Sequence, residues 1–265
     1  MNRALLLIAL AVLAAIPAAG QDWAKARLEK SPRHMEFVKV KHGAREVESF
    51  IVYPEVKNKA TAVVLIHEIF GLSDWVRGVA DQLAEAGYIA IAPDLLTGTA
   101  PKGGGSAELG QHGAVRMIST LPPEQVTADL NAAVDYAAKL PACNGKVVVA
   151  GFCWGGGQAF RLATNNPHIK AFFVFYGQGP DTDEAAGRIH APVYGFYAGN
   201  DARISATIPG TEAQMKKAGK TYEPKTYEGA GHGFMRAGEA PDANEANKKA
   251  HDEAWTRLKS LLKKI

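Results

Sequence analysis

Five uninterrupted apolar runs, separated by amphipathic stretches, constrain the fold of this 265-residue chain more than any other feature. An apolar run without polar interruption is typical of a strand that is buried on both faces of a sheet. The stretches between the runs have the periodicity of helices that cover such a sheet. The pattern therefore predicts an α/β fold with a doubly wound, mostly parallel sheet and helices on both faces. The runs are 61–66, 88–92, 146–150, 171–176 and 192–198, and the helical stretches are 74–86, 123–140, 156–164 and 211–218.

The remaining segments complete this prediction. Residues 36–53 alternate like two short strands joined near Gly43, residues 221–227 form a further strand candidate, and an amphipathic helix is expected from about Ala243. The glycine- and proline-rich stretch 97–113 has no periodicity, which predicts a mobile loop, with a lid as one reading of it. We therefore expect a polar N-terminal arm over 21–32 and a single domain over 33–265.

The first 20 residues have the organisation of a signal peptide. Arg3 is followed by an apolar run over 4–16, and small residues at 17–20 end in Gly20, where cleavage is expected. The run is shorter than the roughly 20 residues of a membrane span, and it contains neither a cysteine for lipid attachment nor paired arginines. These residues predict an exported protein, periplasmic or secreted, with no stable membrane anchor after cleavage.

Charge and cysteine content narrow the classes of partner. The net charge of +3 falls to +2 when Arg3 is removed with the signal peptide, and the basic residues are scattered. This distribution argues against nucleic acid as a partner. The two cysteines, Cys143 and Cys153, are separated by a predicted strand that holds them too far apart for a disulfide. Nothing in the chain specifies an oligomeric state.

The strand candidate 146–150 runs directly into a Gly-x-Cys-x-Gly turn at residues 151–155. A sharp strand-to-helix turn leaves no room for a Cβ two residues before or after its corner, and it lifts the corner side chain clear of the sheet. This arrangement predicts that Cys153 is a nucleophile. The alternative is a buried cysteine beside a glycine-rich turn.

An acid and a histidine follow Cys153 in the order that a nucleophile at such a turn requires. Asp201 comes just after one apolar strand, and His232 comes just after the next. The carboxyl ends of parallel strands meet at one edge of the sheet, so we expect the three side chains to lie together. Taken alone, Asp201 reads as a turn residue and His232 as a loop histidine.

The segment after the first buried strand, 66–71, is where an oxyanion-binding loop should lie. The backbone amides of Ile69 and Trp154 are the expected donors. His67 and Glu68 suggest a zinc motif, but Gly71 occupies the position of the second histidine, so we expect no metal. No cofactor is expected either.

The motifs resemble those of the dienelactone hydrolase family, whose members have the α/β-hydrolase fold, over almost all of the mature chain. The residues that carry the resemblance are Glu68-Ile69-Phe70-Gly71, Gly151-Phe152-Cys153-Trp154-Gly155-Gly156, Asn200-Asp201 and Gly231-His232-Gly233-Phe234 with Arg236.

The resemblance implies a role for each of five residues. It implies that Cys153 is the nucleophile, His232 its base and Asp201 the group that orients the base. It further implies that Glu68 helps to generate the thiolate when substrate arrives, and that Arg236 binds a substrate carboxylate; a solvated surface arginine is the alternative for Arg236.

The chain also departs from the family pattern. The best-known members lack an export signal, and residue 67, commonly glutamine, is histidine here. Their second carboxylate-binding arginine lies where this chain has the divergent segment 97–123, in which Arg116 is a weak counterpart.

We expect an exported hydrolase whose partner is a small-molecule lactone or activated ester, cleaved through an acyl-thioester on Cys153. The alternatives are a general carboxylesterase or thioesterase and a catalytically silent binding protein on the same fold. Four chemically competent residues argue against the silent protein, and the natural substrate is left open.

Overall fold

A computed structural model describes residues 21–265, and the predicted signal peptide over 1–20 lies outside the described residues. Its strands form one eight-stranded sheet in the order β1-β2-β4-β3-β5-β6-β7-β8. The strands are β1 (Met35–His42), β2 (Arg45–Val52), β3 (Ala60–Ile66), β4 (Ile89–Pro93), β5 (Cys143–Phe152), β6 (Phe172–Phe175), β7 (Val193–Ala198) and β8 (Tyr222–Tyr227).

The register of the sheet confirms the predicted parallel core. Strands β3 to β8 pair in parallel with their neighbours, whereas the β1–β2 hairpin joins β4 in antiparallel fashion. The hairpin turns at Gly43, whose φ of +54° lies in the left-handed region that glycine adopts without strain. The five apolar runs and the strand candidate at 221–227 all lie in the sheet.

Helices cover both faces of the sheet. They are α1 (Asp22–Leu28), α2 (Asp74–Glu85), α3 (Ser106–Ile118), α4 (Pro123–Lys139), α5 (Trp154–Ala163), α6 (Asp183–Gly187), α7 (Ala202–Ser205), α8 (Ile208–Lys217), α9 (Phe234–Ala237) and α10 (Glu245–Leu262). Within residues 21–265, no helix is long and apolar enough to cross a membrane.

Side chains alternate in direction along the central strands, which divides the hydrophobic core into two clusters, one on each face of the sheet. Val148 and Ala150 of β5 pack in a cluster with α1, α2 and α10, while Val147 and Val149 pack on the other face with α3, α4 and α5. Successive side chains of a strand point to opposite faces, so an uninterrupted apolar run fills both clusters. Because both of its faces are packed, β5 holds the turn that follows it in a fixed position.

The segment predicted as a polar arm forms α1. Ala24 and Leu28 are buried in the cluster with α2. The Arg27 guanidinium donates to the Glu239 carboxylate at 2.7 Å, and the Arg33 guanidinium pairs with the buried Asp81 at 2.7 Å. Arg27 therefore pairs with a residue of the domain, and α1 packs as part of the domain.

The prediction of a mobile loop over 97–113 is wrong for its second half, which begins α3. Asp94, buried at the end of β4, accepts hydrogen bonds from the Ser106 backbone N–H at 2.7 Å and the Ser106 hydroxyl at 2.6 Å. The Ser106 hydroxyl in turn accepts from the Leu72 backbone N–H at 2.9 Å. This network anchors α3 and ties it to the loop that follows β3. Glycines within the segment, including Gly110 with its φ of +62°, hide the helical periodicity.

Candidate active site

Cys153, Asp201 and His232 lie after β5, β7 and β8, so the parallel sheet brings them to one edge. Cys153 forms the corner between β5 and α5 with a φ of +58°, a value that is uncommon for a residue other than glycine. Backbone in this region is strained, and the surrounding structure must hold it there. Cys153 is partly exposed at this corner.

The glycines around Cys153 are required by close backbone contacts. A Cβ at Gly151 would lie 2.0 Å from the Gly155 carbonyl oxygen, and a Cβ at Gly155 would lie 2.3 Å from the Ile66 carbonyl oxygen. Both distances are far below van der Waals contact, so no side chain fits at either position. The turn predicted from the Gly-x-Cys-x-Gly spacing is present, and the two glycines are needed because the backbone leaves no room for a Cβ.

A chain of hydrogen bonds joins the three side chains. His232 Nδ1 lies 2.5 Å from Asp201 Oδ2, and His232 Nε2 lies 3.0 Å from Cys153 Sγ. The other Asp201 oxygen, Oδ1, accepts from the Ile204 backbone N–H, which fixes the plane of the carboxylate. A carboxylate that accepts the Nδ1 proton leaves Nε2 as the basic nitrogen that faces the sulfur.

Two backbone amides also interact with the Cys153 sulfur. Burial and, to a lesser extent, the negative charge of Glu68 together raise the pKa of the Cys153 thiol to about 11, although hydrogen bonds from the backbone of Trp154 and Ile69 act in the opposite direction. The amides predicted as oxyanion donors therefore converge on the Cys153 sulfur. The resting side chain is a neutral thiol.

Glu68 forms an ion pair with Arg236 beside the thiol. Arg236 Nε donates to Glu68 Oε2 at 2.9 Å, the Glu68 carboxylate is buried, and the guanidinium carbon lies 5.0 Å from the centre of the Phe70 ring. Burial lowers the pKa of Arg236, but the Glu68 carboxylate offsets this and the net shift is upward. The alternative of a solvated surface arginine is wrong, because Arg236 is paired and largely buried.

His67 is fully buried and orients the loop that carries Ile69. Its Nδ1 lies 2.8 Å from the Glu68 carbonyl oxygen, and its Nε2 accepts from the Leu95 backbone N–H at 3.2 Å. Burial lowers the pKa of His67, so the ring is neutral with its proton on Nδ1. The ring also stacks on Trp154 at 5.7 Å. No group of three potential metal ligands occurs in the part of the chain that the structure describes.

Arg116 is not joined to these residues. It is exposed in the last turn of α3, and no contact within residues 21–265 connects it to Cys153, Glu68 or Arg236.

Two residues at the site were not singled out from the sequence. Tyr176 follows β6 with a φ of +42°, and its buried ring packs edge-on against His232 at 5.0 Å. Arg203 lies two residues beyond Asp201, and its charge lowers the pKa of Cys153. Both follow strand ends at the same edge of the sheet, which is the signal that could have identified them.

Comparison with known proteins agrees with this geometry. The model of the dienelactone hydrolase family matches residues 47–265. A protein of Saccharolobus solfataricus named "Putative carboxymethylenebutenolidase" is 32% identical over 257 residues, which cover 83% of this chain and 95% of the relative. A protein of the same name from Salmonella typhi is 30% identical and covers 80% of this chain and 81% of its own.

A solved structure extends the likeness to three dimensions. The crystal structure of a "Putative Dienelactone Hydrolase" from Klebsiella pneumoniae superposes with a TM-score of 0.76 at 25% identity. The match covers 88% of this chain and 99% of that protein, so the two share their fold over most of their length.

Proposed function

The chain belongs to the dienelactone hydrolase family, and we propose that it cleaves a lactone or an activated ester through a covalent thioester on Cys153. The observation that carries this proposal is the hydrogen-bond chain from Asp201 through His232 to the Cys153 sulfur. A nucleophile, a base within hydrogen-bond reach and a group that orients the base are the parts that covalent acyl transfer needs.

The first step is formation of the thiolate. The Cys153 thiol is neutral in the free protein because burial and the Glu68 charge disfavour its ionised form. A substrate carboxylate that binds Arg236 competes with Glu68 for the guanidinium, and the released Glu68 assists removal of the thiol proton. That proton ends on His232, whose imidazolium form the Asp201 carboxylate stabilises.

Attack of the thiolate on the substrate carbonyl forms a carbon–sulfur bond and places a negative charge on the carbonyl oxygen. The Ile69 and Trp154 amides hold this oxyanion, a contribution of about 3–4 kcal/mol for a single donor in comparable enzymes. The carbon–oxygen bond of the ester then breaks, and His232 returns its proton to the leaving alkoxide or enolate. Water, deprotonated by His232, hydrolyses the thioester and regenerates the thiol.

Export is a further part of the proposal. It rests on the charged start, short apolar run and small residues over 1–20. Expression of the full chain in a bacterial host, followed by fractionation and N-terminal sequencing, should recover a mature protein that starts at Gln21 outside the cytoplasm. A full-length cytoplasmic product would contradict it.

A general carboxylesterase or thioesterase is the second candidate. The Glu68–Arg236 pair favours it, because Glu68 already occupies the cation that would anchor a substrate carboxylate. Purified mature protein should be assayed with a panel of lactones, aryl esters and thioesters, each with and without a free carboxylate. Turnover of lactones or activated esters supports the first proposal, and turnover restricted to unactivated esters or thioesters supports the second.

A further inference from the structure

Glu239 is a nearly buried carboxylate that accepts hydrogen bonds from two helices. Its Oε1 accepts from the Arg27 guanidinium of α1 and the Gln82 amide of α2, each at 2.7 Å, and its Oε2 accepts from the Trp75 indole N–H of α2 at 3.0 Å. The side chain is 10% exposed. A buried carboxylate is costly unless donors satisfy it, and three donors do so here. Glu239 therefore joins α1 and α2 to the stretch of chain in which it lies.

That stretch, residues 231–239, carries Arg236 in α9, a single helical turn that is too short to be stable alone. At its start, the Gly231 backbone N–H donates to Asn247 Oδ1 at 2.9 Å, which fixes the chain to α10. At its end, two residues after α9, the Glu239 side chain fixes the chain to α1 and α2. Arg236 therefore lies between two tertiary attachments.

Trp75 connects the Glu239 attachment to the turn at Cys153. The Trp75 ring is buried and packs edge-on against Phe152, with the ring centres 5.1 Å apart. Phe152 directly precedes Cys153. The same indole donates its N–H to Glu239, so one rigid ring spaces the nucleophile turn from the end of α9.

We propose that Glu239 is a positioning residue, which α1 and α2 hold so that Arg236 keeps its place at Glu68. The inference rests on the proposed function, in which the Glu68–Arg236 pair opens during formation of the thiolate. At that moment the hydrogen bond to Glu68 no longer holds Arg236. The contacts of Glu239 involve neither Glu68 nor substrate, so they persist through the step. Helix α1 thereby supports the active site as well as the fold.

A double-mutant cycle on ester turnover tests whether Glu239 acts through Arg236. Glu239→Gln replaces one accepting oxygen with an NH2 group, so the side chain no longer accepts from all three donors. For 4-nitrophenyl acetate, kcat/KM should fall about three- to thirtyfold, because small displacements of active-site groups are costly. In an Arg236→Gln background, the same substitution should change kcat/KM by less than about twofold. A loss of equal size in both backgrounds overturns the inference.

Two further variants separate positioning from a general loss of stability. Arg27→Gln leaves Glu239 with two donors, and since Arg27 is exposed in part, the variant should fold and lose about two- to fivefold in kcat/KM. Glu85→Gln, which removes only the 4.0 Å approach of Arg27 to Glu85, is its control and should match wild type.

The second variant, Arg33→Gln, breaks the other ion pair of the N-terminal segment, with Asp81, and leaves the donors of Glu239 in place. It should lower the free energy of unfolding and keep kcat/KM within about twofold of wild type. A loss of turnover in Arg33→Gln as large as that in Glu239→Gln contradicts the positioning role.

Alkylation by iodoacetamide in a Cys143→Ala background supplies a test without turnover. The reagent forms a carbon–sulfur bond at Cys153, expels iodide and releases the thiol proton to solvent. The charge of a Cys153 thiolate raises the pKa of Arg236, so a correctly placed Arg236 stabilises the thiolate in return. Glu239→Gln should therefore slow labelling about two- to fivefold at neutral pH. A general loosening of the structure would instead expose the thiol and speed labelling.

The two measurements distinguish failure of this inference from failure of the proposed function. Slower labelling of Cys153 in Glu239→Gln, with no such effect in an Arg236→Gln background, supports the inference. An equal or faster rate in Glu239→Gln overturns it, whatever the turnover result. No hydrolysis of any ester or lactone by wild type contradicts the proposed function, while the labelling rates still decide on Glu239.

Discussion

Arg236 donates from Nε to the buried Glu68 carboxylate at 2.9 Å, so the cation and the acid that flank Cys153 neutralise each other in the free protein. Glu68 follows β3 and Arg236 follows β8, so the two residues are far apart in the sequence. Breaking such a buried pair is costly unless another anion takes the place of Glu68. In the proposed mechanism, a substrate anion that binds Arg236 therefore releases Glu68.

Glu68→Gln should make the Cys153 thiol of the free protein more reactive but should slow the catalytic acylation step. The Glu68 charge raises the pKa of Cys153, so its removal should lower that pKa and shift iodoacetamide labelling to lower pH. Acylation should nevertheless slow, because the group that assists removal of the thiol proton is lost. Rapid-mixing measurement of the acylation step, alongside the labelling profile, tests both parts. An unchanged acylation rate would remove Glu68 from the mechanism.

The neutral resting thiol predicts a steep pH profile. Since the pKa of Cys153 is about 11, labelling of the free protein by iodoacetamide should rise about tenfold per pH unit from neutral pH toward that value. A Cys143→Ala background leaves one thiol to label. A plateau of fast labelling near pH 7 would show instead that a thiolate–imidazolium pair exists before substrate binds.

The raised pKa of Cys153 also makes the stability of the protein depend on pH. The folded protein holds the thiol proton more tightly than an unfolded chain, whose thiol has the ordinary value of 9.0. The contribution of Cys153 to the free energy of unfolding is therefore complete below pH 9 and is lost as pH rises from 9 to 11. The free energy of unfolding of wild type minus that of Cys153→Ala should therefore decrease from pH 9 to pH 11. An increase over this interval would mean that folding lowers the pKa of Cys153 instead of raising it.

Adjacent glycines of α5 should respond differently to alanine. A Cβ at Gly156 would lie 2.8 Å from the Phe175 carbonyl oxygen and 2.9 Å from Gly177 Cα, whereas a Cβ at Gly157 meets its nearest atom at 4.0 Å. Gly156→Ala should lower the free energy of unfolding by about 1–3 kcal/mol through overpacking. Gly157→Ala should raise it by up to about 1 kcal/mol, because alanine favours the helix. Urea denaturation measures both, and equal effects would contradict the close approach of α5 to β6.

Much of the fold and of the site was accessible from the sequence because both depend on local patterns. The apolar runs specify strands that are buried on two faces, and the parallel sheet then brings the residues after β5, β7 and β8 to one edge. The glycine spacing around Cys153 reflects contacts at 2.0 and 2.3 Å that admit no side chain. These features need no knowledge of distant side-chain pairs.

The features that were missed depend on tertiary contacts. Helix α1 appears polar in sequence because Ala24 and Leu28 are its buried residues, and Arg27 finds Glu239 only in the folded chain. Helix α3 is hidden by glycines and begins where Asp94 binds Ser106. The pairing of Arg236 with Glu68 likewise has no local signature.

The most direct test of the account is ester turnover by Cys153→Ala, with Cys143→Ala as the matched control and circular dichroism to verify the fold of each. Cys153 lies at a partly exposed corner, so its loss should leave the fold intact, while kcat for a lactone or aryl ester falls at least about 10³-fold. Cys143→Ala should retain near wild-type turnover. Turnover by folded Cys153→Ala within about tenfold of wild type, well short of the loss seen when a covalent nucleophile is removed, would contradict covalent catalysis by this residue.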